Sequence, residues 1–290
     1  MLLSYFRKID AYSGIRIFVL AIAALVLTGT DVFVQWERVL LSTLLGGAWL
    51  FLSWTVMRDR WVVRGTLFRY LIFLLLAVYW SGEQYLTDLL FFSLFFELNW
   101  HLVELHRRKP KTVYVLHSGT ITAIAGLWSA YEIFSIIAPA VILTWIVSGR
   151  VKIRTLFQWM VAFALPMGLL YGLDLVEWSL ILLTDSSTPI TWWILPLLLA
   201  VFALFEWFQS YRKANQTNKS RAMVAGFWLV LGAATALYGA ASGGVLFFLG
   251  LSYHLTNGLR YLKNERLADL FVAGLAIFIL FSYFNLIPWY

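Results

Sequence analysis

Cysteine is absent from all 290 residues of the chain. Disulfide bonds, thiolate nucleophiles, iron–sulfur clusters and cysteine-based zinc sites are therefore excluded. Charged residues make up only 13% of the sequence, whereas soluble domains carry roughly 25%. The sequence also lacks a glycine-rich phosphate-binding loop and an HExxH pattern. The sequence contains no recognised catalytic motif, so it does not decide whether the protein is an enzyme. It also predicts no metal and no cofactor.

Apolar side chains are what the chain has in excess, at 61% of its residues. A water-soluble fold of this length could not hide so much apolar surface, because its core would have to include nearly the whole protein. A bilayer accepts apolar side chains on every side of a helix, provided that the backbone hydrogen bonds are satisfied within the segment. The composition therefore predicts an all-α fold, a polytopic transmembrane helix bundle.

A membrane-spanning helix needs about 20 mainly apolar residues. The sequence contains eleven such candidates, and we expect a bundle of about 11 helices. The predicted spans are 15–34, 39–57, 66–82, 85–104, 113–129, 132–148, 155–173, 191–210, 222–241, 244–259 and 267–286.

The basic residues fix the orientation of these spans. If eleven helices alternate in direction, all of the 22 Lys and Arg residues except Arg38 lie on one side. Loops rich in Lys and Arg stay in the cytoplasm. The sequence therefore predicts a multi-pass protein of the bacterial inner (cytoplasmic) membrane, with a cytoplasmic N-terminus and a periplasmic C-terminus.

The connections between the predicted spans are short, so we expect one integral-membrane domain over residues 1–290 and no soluble domain. The longest outer connection, 174–190, contains an apolar stretch too short to span a bilayer, and it is predicted to lie at the outer interface. Kinases, ATPases and transferases with cytosolic catalytic domains are thereby excluded, unless a partner subunit supplies that domain.

The net charge of +7 raises the question of partners. The basic residues fall in short clusters between apolar segments, which is the positive-inside pattern and not a phosphate-binding face. The predicted partners are therefore membrane lipids, with anionic headgroups at the cytoplasmic face, and not nucleic acid. Other membrane subunits are a further class of partner that the sequence leaves open.

The sharpest set of chemical residues is Glu97, His101 and Glu104 on the fourth predicted span. At 100° per residue they fall within an arc of roughly 60°. His117 and His254 lie at a similar predicted depth in the inner leaflet. Glu97, His101, His117 and His254 could therefore form a binding, haem, metal or proton-relay site. The alternative is that the histidines are packed residues bonded to backbone carbonyls.

A second set of candidates faces outward and consists of acidic residues in the outer connections. Its members are Asp31, Glu37, Asp88, Asp174 and Asp185. The position of Asp31 resembles that of an acid in the first outer loop of integral-membrane glycosyltransferases that use lipid-linked sugars. With Glu97 and His101, Asp31 is thus a candidate catalytic residue. The alternative is that acids collect in outer loops because Lys and Arg are excluded from them.

Small residues and prolines predict features of helix packing. Gly232, Ala236 and Ala240 share one helix face at a spacing of four, which favours close helix–helix contact, more readily within the chain than between two copies. Proline removes a backbone donor and can kink a helix. The prolines within the predicted spans are Pro139, Pro166 and Pro196.

Several of these patterns occur together in a known family. A helix ends in a basic run at 106–111, a small-residue helix follows over 118–131, and a basic turn leads into a proline-containing helix over 149–172. The hinge at 261–270 also fits. In these features the chain resembles a functionally uncharacterised family of polytopic inner-membrane proteins from Bacteroidetes-type bacteria. The resemblance implies an inner-membrane location in a two-membrane bacterium, and it supplies no catalytic residues.

Three functions are compatible with the sequence. The first, which we expect, is a non-enzymatic subunit or scaffold in cell-envelope assembly, with few buried ionisable groups. The second is a transporter or flippase for an amphipathic or lipid-linked solute, with Glu97 at a central cavity. The third is an intramembrane, glycosyltransferase-like enzyme acting on a lipid-linked substrate. The surroundings of Glu97 and the histidines distinguish them.

Overall fold

In the computed structural model, the residues described are 19, 69, 72–76, 86–129, 132–148, 151–175, 194–213, 216–236, 241–261 and 265–283. These residues are helical apart from short turns, and no strand occurs among them. The predicted all-α fold class is therefore confirmed for the described part of the chain.

From residue 86 onward, the described residues form eight α-helices. They are α1 (Leu86–Arg108), α2 (Thr112–Ala125), α3 (Ala138–Val147), α4 (Ile153–Gly172), α5 (Ile194–Lys213), α6 (Gln216–Ala236), α7 (Ala241–Tyr261) and α8 (Glu265–Tyr283). Each of the eight predicted spans between 85 and 286 overlaps one of them. The first three predicted spans lie outside the described residues, apart from the helical positions 19, 69 and 72–76.

The three prolines occupy different helical positions. Pro139 is near the start of α3 and follows a π-helical turn, Ile133–Ile137. Pro196 is in the first turn of α5, where a missing backbone donor costs no helical hydrogen bond. Only Pro166, within α4, is in a helix interior. Proline can therefore bend α4 at Pro166, and the π-helical turn before Pro139 is likewise a place where helices bend.

Helix α7 is the central helix of the described bundle. Every residue from 242 to 257 is buried, and α7 packs against α6, α5 and α1. Its contact with α6 is close because glycines lie where the backbones meet. A Cβ placed on Gly250 would lie 2.5 Å from the Ala225 carbonyl oxygen, and one on Gly232 would overlap the Phe247 backbone.

Helix α4 has the opposite environment. It is the one helix among the described residues that is both long and apolar enough to cross a membrane. Only 17% of its apolar window is buried, so large apolar side chains such as Phe157, Leu165 and Leu169 are exposed. The helix ends in a turn at which Asp174 has a φ of 54°, and the backbone N–H of Leu175 donates to the Leu170 carbonyl. Residues 176–190 of the predicted interfacial segment lie outside the described residues.

Candidate functional site

Ionisable side chains are buried at the centre of this apolar bundle. Six of them in the described residues are buried: Arg69, Glu97, Glu104, Glu206, Arg221 and His254. They are contributed by α1, α5, α6, α7 and the segment that carries Arg69. Burying an unpaired charge is very costly, so buried charges are expected to have partners. Each of the six does have an oppositely charged or ionisable partner in the structure, and together we call them the buried charged network.

The first pair joins Arg69 to Glu97 of α1. Arg69 Nη2 lies 2.6 Å from Glu97 Oε1, and the two side chains are only 2% and 3% exposed. The Arg69 guanidinium also lies 5.2 Å from the ring centre of Trp100 and 5.8 Å from that of Tyr253. Aromatic faces attract a cation through their quadrupole. Glu97 is thus neutralised by an arginine that two aromatic rings also hold in place.

The second pair joins Glu104 of α1 to Arg221 of α6. Nε and Nη2 of Arg221 donate to Oε1 and Oε2 of Glu104 at 3.2 and 3.1 Å. This two-point geometry is the strong form of a charged hydrogen bond. Arg107 adds a contact of 3.3 Å to Glu104 and donates to the Ser220 hydroxyl at 2.7 Å.

The third pair joins Glu206 of α5 to His254 of α7. His254 Nδ1 lies 2.7 Å from Glu206 Oε2, and the histidine is completely buried. The rings of Tyr253 and Trp207 lie against the imidazole, with centroid distances of 5.2 and 6.2 Å. The charge of this pair depends on the protonation of its imidazole, unlike that of a pair containing arginine.

Tyr253 connects the three pairs. Its ring contacts Arg69 and the His254 imidazole. Its hydroxyl interacts with the Asn257 side chain and is within electrostatic range of Arg221 and Glu206. The three pairs therefore lie around one tyrosine, and the buried charged network draws its residues from α1, α5, α6, α7 and the segment that carries Arg69.

The four residues predicted to form one site, Glu97, His101, His117 and His254, do not lie together in the structure. Glu97 and His254 are in the buried charged network, but with Arg69 and Glu206 as partners. His101 is partly buried one turn beyond Glu97, whereas His117 is exposed on α2. Asp31 lies outside the described residues. Within the described part of the chain, no three His, Asp or Glu side chains lie close enough together to hold a metal ion.

Sequence reasoning missed Arg69, Glu206 and Arg221 as site residues. Glu206 had a usable signal, since it is a carboxylate within the predicted span 191–210, and ionisable residues in such spans are functional candidates by default. Arg69 and Arg221 were assigned to the cytoplasmic boundary. Their partners come from helices far away in sequence, and no local spacing indicates those pairs.

The outer acids that the structure describes have local roles. Asp88 accepts a hydrogen bond from Trp128 Nε1 at 2.8 Å. Glu132 accepts one from the backbone N–H of Ser242, near the start of α7, at 2.9 Å. Asp174 is exposed. Asp31, Glu37 and Asp185 lie outside the described residues.

A second polar cluster is formed by neutral groups around Ser118 of α2. Its hydroxyl donates to Asn99 Oδ1 at 2.6 Å and accepts from Trp145 Nε1 at 2.9 Å and Trp159 Nε1 at 3.1 Å. One serine thus joins side chains from α1, α3 and α4. All four groups are satisfied, which is the arrangement of a structural junction.

Comparison with known proteins gave no match to any family model, to any curated protein or to any solved structure. The functional argument therefore rests on the sequence and on the geometry described above.

Proposed function

We propose that this all-α protein is a multi-pass protein of the bacterial inner membrane that moves an amphipathic or lipid-linked solute. The buried charged network is the observation that carries the proposal. A scaffold was expected to have few buried ionisable groups, whereas six are buried in the described residues. Ionisable residues inside a membrane domain are costly, and they typically mark ion or substrate pathways.

The distribution of apolar side chains supports lipid as the solvent. Leu165 of α4 is 71% exposed, and Val201 and Phe205 of α5 are exposed as well, while arginines and glutamates are buried. A soluble protein rarely has such extensive apolar surface. A core helix with the hydropathy of α4 would be mostly buried in a soluble protein, which is not the case here.

The exposed basic residues support several crossings in alternating directions. They cluster where α1 meets α2, where α4 begins and where α5 ends: Arg108, Lys109, Lys111, Lys152, Arg154 and Arg212. In an alternating bundle these positions share one face, which the positive-inside rule assigns to the cytoplasm.

This orientation gives the buried charged network a depth. At 1.5 Å per residue, Glu97 would lie about 16 Å from the end of α1. Glu206 and His254 would each lie about 10 Å from the ends of α5 and α7. Glu104 and Arg221 are closer to the helix ends. The network would then extend from near the cytoplasmic surface toward the middle of the bilayer, as a translocation pathway requires.

The absence of native cysteine makes the topology directly testable. Lys109→Cys and Ser187→Cys can each be labelled in intact cells with a membrane-impermeant maleimide. We expect only Ser187→Cys to react before the inner membrane is opened, and both variants to react afterwards. Equal labelling of both in intact cells would contradict the orientation.

Transport is tested with protein purified in nanodiscs formed from native lipids. We expect mass spectrometry to detect an amphipathic or lipid-linked solute that copurifies with the wild type and is depleted at least about tenfold in Glu97→Gln. His117→Gln is the matched control, because His117 is exposed and outside the network. Equal solute content in all three samples would contradict the proposal.

A scaffold is the second candidate, and one observation favours it. Every buried charge in the described residues has a partner, and fully paired charges can act purely to specify helix pairing. A scaffold predicts a stable complex with other membrane subunits, which copurifies from mild detergent and is retained in Glu97→Gln.

A further inference from the structure

The two ring nitrogens of His254 have different surroundings. Nδ1 is hydrogen-bonded to Glu206. Nε2 is buried and has no hydrogen-bond partner among the residues that the structure describes. A buried polar atom without a partner is unusual and calls for an explanation. When the Glu206 carboxylate is ionised it can only accept, so Nδ1 carries the hydrogen of this bond, and Nε2 is the position at which the neutral imidazole can accept a proton.

The indole of Trp207 repeats this pattern beside the histidine. Its Nε1 is likewise buried and lacks a hydrogen-bond partner within the described residues. The two rings are 6.2 Å apart between centroids. A Cβ on Gly226 would lie 2.5 Å from the indole, so glycine at this position lets Trp207 lie directly against α6. His254 Nε2 and the Trp207 Nε1–H thus lie in one buried region, and neither has a hydrogen-bond partner within the described residues.

We propose that Glu206 and His254 form a proton-binding site in the inner half of the bundle. The inference rests on the proposed function, in which this proton would be the coupling ion. A hydronium ion from the cytoplasmic side transfers its proton to the Nε2 lone pair, so that one O–H bond breaks, one N–H bond forms and a water molecule is released. The hydrogen bond from Nδ1 to Glu206 is kept. The charge of the pair then changes from −1 to zero.

The charges on the neighbouring helices are largely balanced, so they do not fix the protonation of this pair. Helix α1 presents Glu97, balanced by Arg69, and Glu104, balanced by Arg221 of α6. Arg107 adds a further positive charge to the second pair, and Tyr253 is the titratable group next to His254 on α7. With the other two acids already neutralised, Glu206 and His254 are the pair whose charge can vary. A low-dielectric interior favours a neutral ion pair over a single negative charge.

The four histidines of the chain make this site measurable by nuclear magnetic resonance. The probe is the proton itself, titrated into full-length protein labelled with ¹⁵N-histidine in nanodiscs. The triple variant His101→Gln, His106→Gln, His117→Gln isolates the His254 signal. The sample is acidified stepwise from about pH 8 to about pH 5, and we expect Nε2 to gain a proton during this acidification while Nδ1 remains protonated and hydrogen-bonded. A His254 signal that keeps one protonation state over this range would overturn the proposal.

Glu206→Gln tests the role of the carboxylate. Glutamine retains a hydrogen-bond acceptor but removes the charge that stabilises an imidazolium. We expect the protonated fraction of His254 at the midpoint of the wild-type titration to fall at least fivefold, whereas Glu132→Gln leaves it within about twofold. Glu132 is the matched control, because it is a carboxylate outside the buried charged network that accepts a hydrogen bond from the Ser242 backbone N–H. An equal fall in both variants would show that only the overall charge matters, and would overturn the assignment to Glu206.

Proton movement is measured separately, in liposomes that contain a pH-sensitive dye and are supplied with the copurifying lipid extract. We expect the interior of liposomes that contain the wild-type protein to acidify. The rate of this acidification should be at least tenfold slower in liposomes that contain His254→Gln. If His254 titrates but the wild type moves no protons, the proton-binding site is confirmed and the transport proposal fails.

Discussion

Glu104 and Arg221 are separated by 117 positions in the sequence, yet two hydrogen bonds of 3.1 and 3.2 Å join their side chains between α1 and α6. Both residues lie next to short basic stretches of the sequence, where an exposed charge would be the simplest expectation. The fold brings them together and buries them, which changes their energetics from those of exposed charges to those of a coupled pair.

The coupling between these residues predicts a non-additive response to mutation. Glu104→Ala or Arg221→Ala leaves a buried charge without its main partner, and each is expected to lower the free energy of unfolding by about 3 kcal/mol. The double variant should cost clearly less than the sum of the two single variants. Chemical denaturation in detergent micelles gives the three values. Additive losses would mean that the pair contributes no interaction energy.

Substitution of Ser118 is expected to lower the free energy of unfolding more than is usual for a serine. Ser118→Ala removes the acceptor of two buried indole N–H groups and the donor to Asn99, so we expect a loss of about 2–4 kcal/mol. The control is Ser252→Ala, because Ser252 is as deeply buried but donates only to the Leu249 carbonyl of its own helix. Thermal unfolding should separate the two variants by several degrees, and equal stability would contradict the junction role.

Alanine substitution is expected to have opposite effects on stability at two glycines, because only one of them lies at the contact between α6 and α7. Gly250→Ala places a methyl group against the backbone of α6, and a loss of about 1–3 kcal/mol is expected from overpacking. Gly274→Ala, in α8, has nothing within 4 Å of the new methyl group, and it should stabilise the helix by up to about 1 kcal/mol. Paired denaturation curves check the sign of both changes. Destabilisation at both positions would show that backbone conformation, and not the close approach, is responsible.

A lysine on the exposed face of α4 distinguishes lipid from water as the surrounding solvent. Leu165 is 71% exposed, so Leu165→Lys would be nearly neutral in water. At mid-membrane depth it should cost about 2.5–3.5 kcal/mol on insertion scales. Ile153→Lys is the control, because Ile153 is 87% exposed and is the first residue of the same helix. The measurement is the amount of protein integrated in the membrane. Equal integration of both variants would contradict a membrane-spanning α4.

Interruptions in the apolar pattern made the helix positions from residue 85 onward predictable from the sequence. Charged and small polar residues separate the spans, so the predicted segment 244–259 falls within the observed Ala241–Tyr261. The predicted close packing is found at Gly232 and Ala236, since a Cβ on Gly232 would overlap the Phe247 backbone and one on Gly243 would lie 2.8 Å from the Ala236 backbone nitrogen. Ala240 lies outside the described residues. Such predictions succeed because hydropathy and residue size act locally.

Amino-acid composition and the order of apolar and basic segments were enough to specify the helical fold class and to suggest lipid as the solvent, because those properties depend on transfer energies summed along the chain. Helical spacing also identified Glu97 as a residue of interest. Only the tertiary structure decided that its partner is Arg69, that His254 pairs with Glu206 and that His117 faces outward. Those pairings depend on the rotation and approach of helices that are distant in sequence, and backbone contacts at positions such as Gly226 and Gly250 set that geometry.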